Sequence, residues 1–204
     1  MFIKFIGDFI MKKMLLVAVM SMLVLMNSLC VGAQEYDPNF DYAEAMIQAA
    51  CNGDEASGME YCRLRRMKMA DMGINDNLQF DCLYLLAKVI HTEVGSSWVT
   101  EEHRQLVGSV VLNRINSPEF PNTMYEVVYQ PYQYGAVTTG VINYITPYEW
   151  CVRSAYTLLV NGSIAPSSVV FQAEFPQGSG TYKAVYDSLL GTTYFCYSSH
   201  PWMY

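Results

Sequence analysis

Glu93 stands near the end of "LYLLAKVIHTEVGSSW" (83–98), a stretch otherwise apolar at helical spacing. On a helix of period 3.6, Leu86, Val89, Ile90 and Glu93 share one face, so the carboxylate continues a core stripe. It also falls in the last turn, where the helix dipole disfavours negative charge. Burial and dipole together favour the protonated form and raise the pKa. A carboxylic acid that keeps its proton near neutral pH is suited to protonating a departing oxygen, as glycoside cleavage requires. The plainer alternative is a helix-end carboxylate that reaches water or pairs with Arg114.

A second group of chemically able residues lies in "YEVVYQPYQYG" (125–135), where Tyr125, Tyr129, Tyr132 and Tyr134 surround Gln130 and Gln133. Flat aromatic faces cover the C–H faces of sugars, and carboxamides bond hydroxyl and acetamido groups in both directions. The same tyrosines would also serve to fill a core edge. A third candidate is "DC" at Asp81–Cys82, since cysteine peptidases of the NlpC type place a nucleophile in an Asp-Cys-Ser-Gly setting at a helix start. Here Leu83 and Tyr84 replace Ser-Gly, and none of His91, His103 and His200 sits in a matching strand. A buried core cysteine is the expected role of Cys82. No cysteine pair has zinc-site spacing, so neither a metal nor a cofactor is expected.

The elements that must position these residues follow from local signals. Asp41 is a suitable cap for a helix over 41–51. "NGDEASG" reads as a turn and residues 59–72 as a second helix, with Arg63, Arg65, Arg66 and Lys68 on a solvated face. Cys51 and Cys62 flank that turn, where a disulfide would close if they face each other. Asp81 is placed to cap a helix over 82–94, and Thr100 the next, with Glu101 and Glu102 in its first turn. "LVGSVVLNRI" (106–115) is apolar nearly all round and predicts the central buried helix, with Gly108 permitting close helix approach. "MYEVVYQ" predicts a short helix, and "TPYE" (146–149) the start of another that ends at "NG" near Val160. "SSVVFQAEF" (167–175) and "TTYFCYS" (192–198) read as strands. Helices followed by a small β element near the C-terminus make an α+β fold.

The 204 residues, 52% hydrophobic with net charge −7, suit one globular domain with an appendage. The N-terminus reads as a secretion signal. A lysine pair precedes an apolar run from Met14 to Met26, and "VGA" offers cleavage before Gln34. Without residues 1–33, which carry three of the 12 basic and one of the 19 acidic residues, the net charge becomes −9. Such a surplus argues against nucleic acid as partner. Five cysteines remain, an odd number that leaves at least one thiol free or paired between chains.

"VIHTEVGSSW", "VGSVVLNRINSPEFPNTMYEVVYQPYQYGAV", "LLVNGSIAPSSVVFQAE" and a final "HPWMY" together resemble the catalytic domain of the SleB-type cell wall hydrolases, the spore cortex-lytic enzyme family. The resemblance covers about residues 83–204; with the signal and the hairpin read above, the chain divides into a signal (1–33), a lead-in and helical hairpin (34–80) and a catalytic domain (81–204). It implies a lysozyme-like fold and cleavage of the bond between muramic acid and glucosamine in the glycan strands of peptidoglycan. It further implies a lytic transglycosylase mechanism with one essential glutamate, which falls on Glu93. Asn113 and Arg114 match the family's Asn-Arg pair, Gln130, Gln133 and Tyr134 its Gln-x-x-Gln-aromatic run, and Phe171 its strand; these become the expected substrate-binding residues. The family commonly reads Glu-Ala-x-Gly-Glu where this chain has Glu93-Val94-Gly95-Ser96-Ser97, so a second acid is absent. That departure keeps two alternatives open: plain hydrolysis, and a wall-binding protein that has lost catalysis. The 41–72 hairpin lies outside the resemblance, and a brace on the catalytic body is favoured over a contact with the wall or a partner.

Overall fold

The computed structural model describes residues 35–204, and residues 38–204 form one compact unit. The signal-sequence reading of residues 1–33 lies outside the described residues. Among the described residues, no helix is long and apolar enough to cross a membrane.

Helix α1 (Tyr42–Asn52) starts where the Asp41 carboxylate accepts from the N–H groups of Ala43 and Glu44. Helix α2 (Glu55–Asp71) follows almost at once, because Asp54 caps it through Ser57 N–H. The turn is therefore shorter than the sequence suggested. Gly58 lies inside the helix, where an added Cβ would sit 2.1 Å from the Phe80 ring. The solvated basic face needs a similar correction: Arg65 is buried, pairs with Asp76 and lies over the Tyr156 ring, and Lys68 donates to the Phe40 carbonyl. Cys51 and Cys62 are free thiols, as are Cys82, Cys151 and Cys196.

Helix α3 (Phe80–Val94) and helix α4 (Glu101–Ile115) form the centre with helix α7 (Glu149–Asn161). Leu83, Leu86, Val89 and Ile90 of α3 pack with Leu106, Val110 and Val111 of α4 and Val152, Ala155 and Leu158 of α7 in one core. At Gly108 a Cβ would stand 2.4 Å from Leu158 Cδ1, so the missing side chain sets how closely these helices approach. Gln79, not Asp81, precedes the first turn of α3, and Asp81 lies within it. Thr100 caps α4 through His103 N–H, as expected. Short helices α5 (Met124–Val128) and α6 (Gly135–Thr138) and a 3-10 turn (Val141–Asn143) lead to α7.

Helix α7 begins later than "TPYE" implied. The Thr146 and Tyr84 hydroxyls lie together against Gly53, and the Tyr148 N–H donates to His91 Nδ1 at 3.1 Å. Tertiary partners thus displace the local capping pattern.

Strands β1 (Val169–Ala173), β2 (Thr181–Asp187) and β3 (Gly191–Tyr197) make an antiparallel sheet of order β1-β3-β2. The architecture is α+β, mostly helical with the small sheet near the C-terminus. Strand β2, "TYKAVYD", went unread in the sequence.

Candidate active site

Glu93 leaves α3 one residue before the helix ends at Val94. The backbone there is fixed from two sides. A Cβ on Gly95 would lie 2.3 Å from the His91 carbonyl oxygen, and Trp150 Nε1 donates to the Gly95 carbonyl at 2.7 Å. His91 stacks on Tyr148, with ring centres 4.3 Å apart. The carboxylate-bearing turn is therefore clamped against the start of α7.

Across from it, α4 holds the sheet. Asn113 Nδ2 donates to the carbonyls of Pro166 (2.8 Å) and Val169 (2.9 Å), and Arg114 Nε to that of Val170 (2.7 Å). The β1–β3 register shifts between Val169 and Phe171, so Val169 and Val170 are both buried. Beyond the shift, Gln172 Nε2 reaches Glu93 Oε2 at 3.3 Å. Burial pushes the Glu93 carboxyl above its ordinary value; the Gln172 hydrogen bond and then the Arg114 charge oppose that rise without cancelling it.

The remaining expected residues take different places. Arg114 is buried beneath two rings, 5.0 Å from the Phe120 centre and 6.0 Å from that of Tyr134. Tyr134 is buried, its hydroxyl close to Arg114 and Glu93 yet without a well-formed hydrogen bond, and desolvation pushes its pKa up. Phe171 meets Phe120 edge to face. Gln130 is half-buried with its Oε1 unpartnered among the described residues, whereas Gln133 is exposed. Tyr125 and Tyr129 stack on each other, and Tyr129 Oη donates to Asn143 Oδ1. Tyr132 is 94% exposed, with φ of 66°.

Gln172 was not among the residues singled out in the sequence. The available signal was a carboxamide inside the apolar run "VVFQA", one residue from Phe171.

Other acids near Glu93 in sequence have partners elsewhere. The Glu101 carboxylate accepts from Ser154 Oγ and Gln105 Nε2, and Glu102 pairs with Lys183. Cys82 and Cys151 are not activated nucleophiles: burial, then Asp81, pushes the Cys82 thiol up, and burial takes Cys151 to about 12. A groove of about 710 Å³, lined by residues such as Arg65, Met69, Leu78, Leu112 and Met124, lies on the hairpin side and does not include Glu93.

The sequence model of the Cell Wall Hydrolase family matches residues 100–196, a segment that starts after Glu93. A spore cortex-lytic enzyme of Bacillus subtilis is 36% identical over 78 residues, covering 38% of this chain and 24% of that protein. A spore cortex-lytic enzyme of Halalkalibacterium halodurans is 33% identical over 101 residues, covering 49% of this chain and 26% of that protein. The chain thus spans about a quarter of the length of these relatives. Among solved structures, the catalytic domain of the Bacillus cereus SleB protein aligns at 25% identity over 59% of this chain and 93% of that one, with a TM-score of 0.44. The catalytic domain of the germination-specific lytic transglycosylase SleB from Bacillus anthracis aligns at 23% identity over 60% and 99%, also at 0.44.

Proposed function

Because this chain carries a catalytic domain of the SleB-type cell wall hydrolases, we propose that it is an exported enzyme that cleaves the glycan strands of peptidoglycan with Glu93 as its acid and base. The observation that carries this reading is the carboxyl itself: placed at a clamped helix end, its pKa raised by burial, and held by one amide. Glu93 gives its proton to the glycosidic oxygen as the C1–O bond breaks, and the electron pair leaves with that oxygen. The substrate's acetamido group stabilises the sugar cation. Glu93, now ionised, takes the C6 hydroxyl proton while O6 closes on C1, and an anhydro end results. One carboxyl suffices for this cycle, in keeping with Ser97 standing where the family resemblance leads one to expect a second acid. Ordinary two-carboxylate hydrolysis needs a partner acid, and Glu101 and Glu102 are engaged with Ser154 and Lys183.

Asn113 and Arg114 serve this site by holding β1, Gln130, Gln133 and Phe171 form the wall on which the glycan lies, and Tyr134, buried beside Arg114, backs that wall. The helical hairpin braces the catalytic body, through Glu44–Arg153 on one side and Phe80 against Gly58 on the other.

Digestion of purified peptidoglycan followed by mass analysis tests the reading. Anhydro ends are expected, and Glu93→Gln should lower the rate by roughly 10²–10⁴-fold, the usual contribution of a general acid. Reducing ends would mean hydrolysis, and binding without fragments would mean a wall-binding protein. Full activity in Glu93→Gln would remove Glu93 from the mechanism.

A further inference from the structure

Gln172 touches Glu93 with only half of its hydrogen-bonding capacity. Its Nε2 donates to Glu93 Oε2 at 3.3 Å, while its Oε1 is buried and without a partner among the described residues. A carboxamide is a donor on one side and an acceptor on the other, and half a turn about its last torsion exchanges the two. The same side chain can therefore serve both forms of Glu93: NH₂ facing the carboxylate, C=O facing the acid's O–H. An arginine in that place would bond only the ionised form.

We propose that Gln172 is a positioning residue that holds the Glu93 carboxyl in place through both halves of an acid-then-base cycle, by turning its amide over. This rests on the reading of Glu93 as acid and base. No bond to Gln172 forms or breaks, and the proton passes only between Glu93 and the substrate oxygens.

The surrounding structure fixes the backbone from which the amide turns. The Gln172 backbone pairs opposite Phe195, which is fully buried. The preceding carbonyls of Val169 and Val170 are gripped by Asn113 and Arg114. An irregular strand would leave the amide mobile, but the register shift is pinned from α4, so Gln172 arrives at Glu93 on a rigid element. The other polar groups facing the carboxyl come from different elements: the Arg114 charge from α4 and the Tyr134 hydroxyl from the loop after α5. On α3 itself, His91 Nδ1 accepts from the Tyr148 N–H and so faces α7.

Gln172→Met, which keeps the length and loses the amide, tests the proposal. Two measurements are made: titration of the Glu93 carboxyl by ¹³C NMR without substrate, and the pH–rate profile on peptidoglycan. The acid step needs protonated Glu93, so activity falls above its pKa. Of the two bonds, the one to the ionised carboxylate is charge-assisted and the stronger, so losing the amide costs the carboxylate more than the acid and raises that pKa. The NMR titration and the basic limb of the profile are therefore both expected to move to higher pH. The turnover number should fall on the order of 10–100-fold, the scale of a misplaced catalytic group, with KM within about twofold. An unmoved Glu93 titration in folded Gln172→Met overturns the proposal. So does a lower rate with an unmoved basic limb.

Gln172→Glu provides a second variant should the first not fold. A carboxyl within hydrogen-bond reach of Glu93 must share a proton with it, so the pair should titrate in two separated steps; a single unshifted titration also overturns the proposal. If wild-type protein leaves peptidoglycan intact, the functional reading fails, while the substrate-free titrations still decide whether Gln172 governs Glu93.

Discussion

At its amino end α3 is closed by apolar contact, whereas at its carboxy end the same helix delivers a carboxyl among polar atoms left unpaired. Phe80 fills the space over Gly58, Leu83 and Leu86 are fully buried, and the Cys62 thiol donates to the Leu78 carbonyl. Arg65 retains one unpartnered Nε there, but Asp76 meets its charge. Around Glu93, by contrast, Gln172 Oε1 and Tyr134 Oη both lack a well-formed hydrogen bond among the described residues. Each such atom costs about 1–3 kcal/mol when buried. One helix thus joins a region that contributes stability to a region that gives some up, and the clamp at Gly95, His91 and Trp150 keeps the second from relaxing.

If that division holds, damage at the two ends separates cleanly. Leu83→Ala should cost about 2–5 kcal/mol, because a buried leucine leaves a cavity that its neighbours only partly fill. Urea unfolding measures the loss, and the rate per folded molecule should stay close to wild type. A rate that falls together with stability would mean that the packed end is part of the catalytic machinery.

Glu93→Gln should do the reverse, and its effect on stability depends on pH. The folded pKa of Glu93 is raised above 4.5 by burial. Its contribution is therefore most favourable below the unfolded value and is lost as pH rises through the folded one. Above that point the wild-type protein carries a partly buried charge that glutamine lacks. Thermal melts should show Glu93→Gln gaining on wild type from about pH 4.5 upward, with the gap closing in acid. A pH-independent difference would mean that the carboxyl is solvated, and the contrast between the two ends would lose its basis.

The stripe of Leu86, Val89, Ile90 and Glu93 was legible because a long helix writes its period into the sequence. The Thr100 cap and the close approach at Gly108 were legible for the same local reasons. What escaped depends on partners distant in sequence. The α7 start moved because His91 accepts from the Tyr148 N–H. Arg65 left the solvated face for Asp76 and Tyr156. Strand β2 is mostly exposed, so "TYKAVYD" carries no clean apolar alternation. Gln172 faces Glu93 only because α4 grips a register shift in β1.

The smallest expected effect lies in the loop that carries Gln130 and Tyr134. Tyr132 has φ of 66°, a region that bulky side chains rarely occupy, and its ring is 94% exposed, so no packing energy offsets the strain. Its neighbour Tyr134 is buried beside Arg114. The strain at Tyr132 therefore accompanies the ordering of Tyr134, and it leaves one flat aromatic face open to a sugar. Tyr132→Gly removes the strain and should raise stability by up to about 1 kcal/mol. The same change removes the face, so KM for peptidoglycan should rise while the turnover number stays near wild type. Should Tyr132→Gly instead lower stability, the exposed ring would have to contribute packing to this corner. The trade of stability for function would then be confined to Glu93 and its unpaired neighbours.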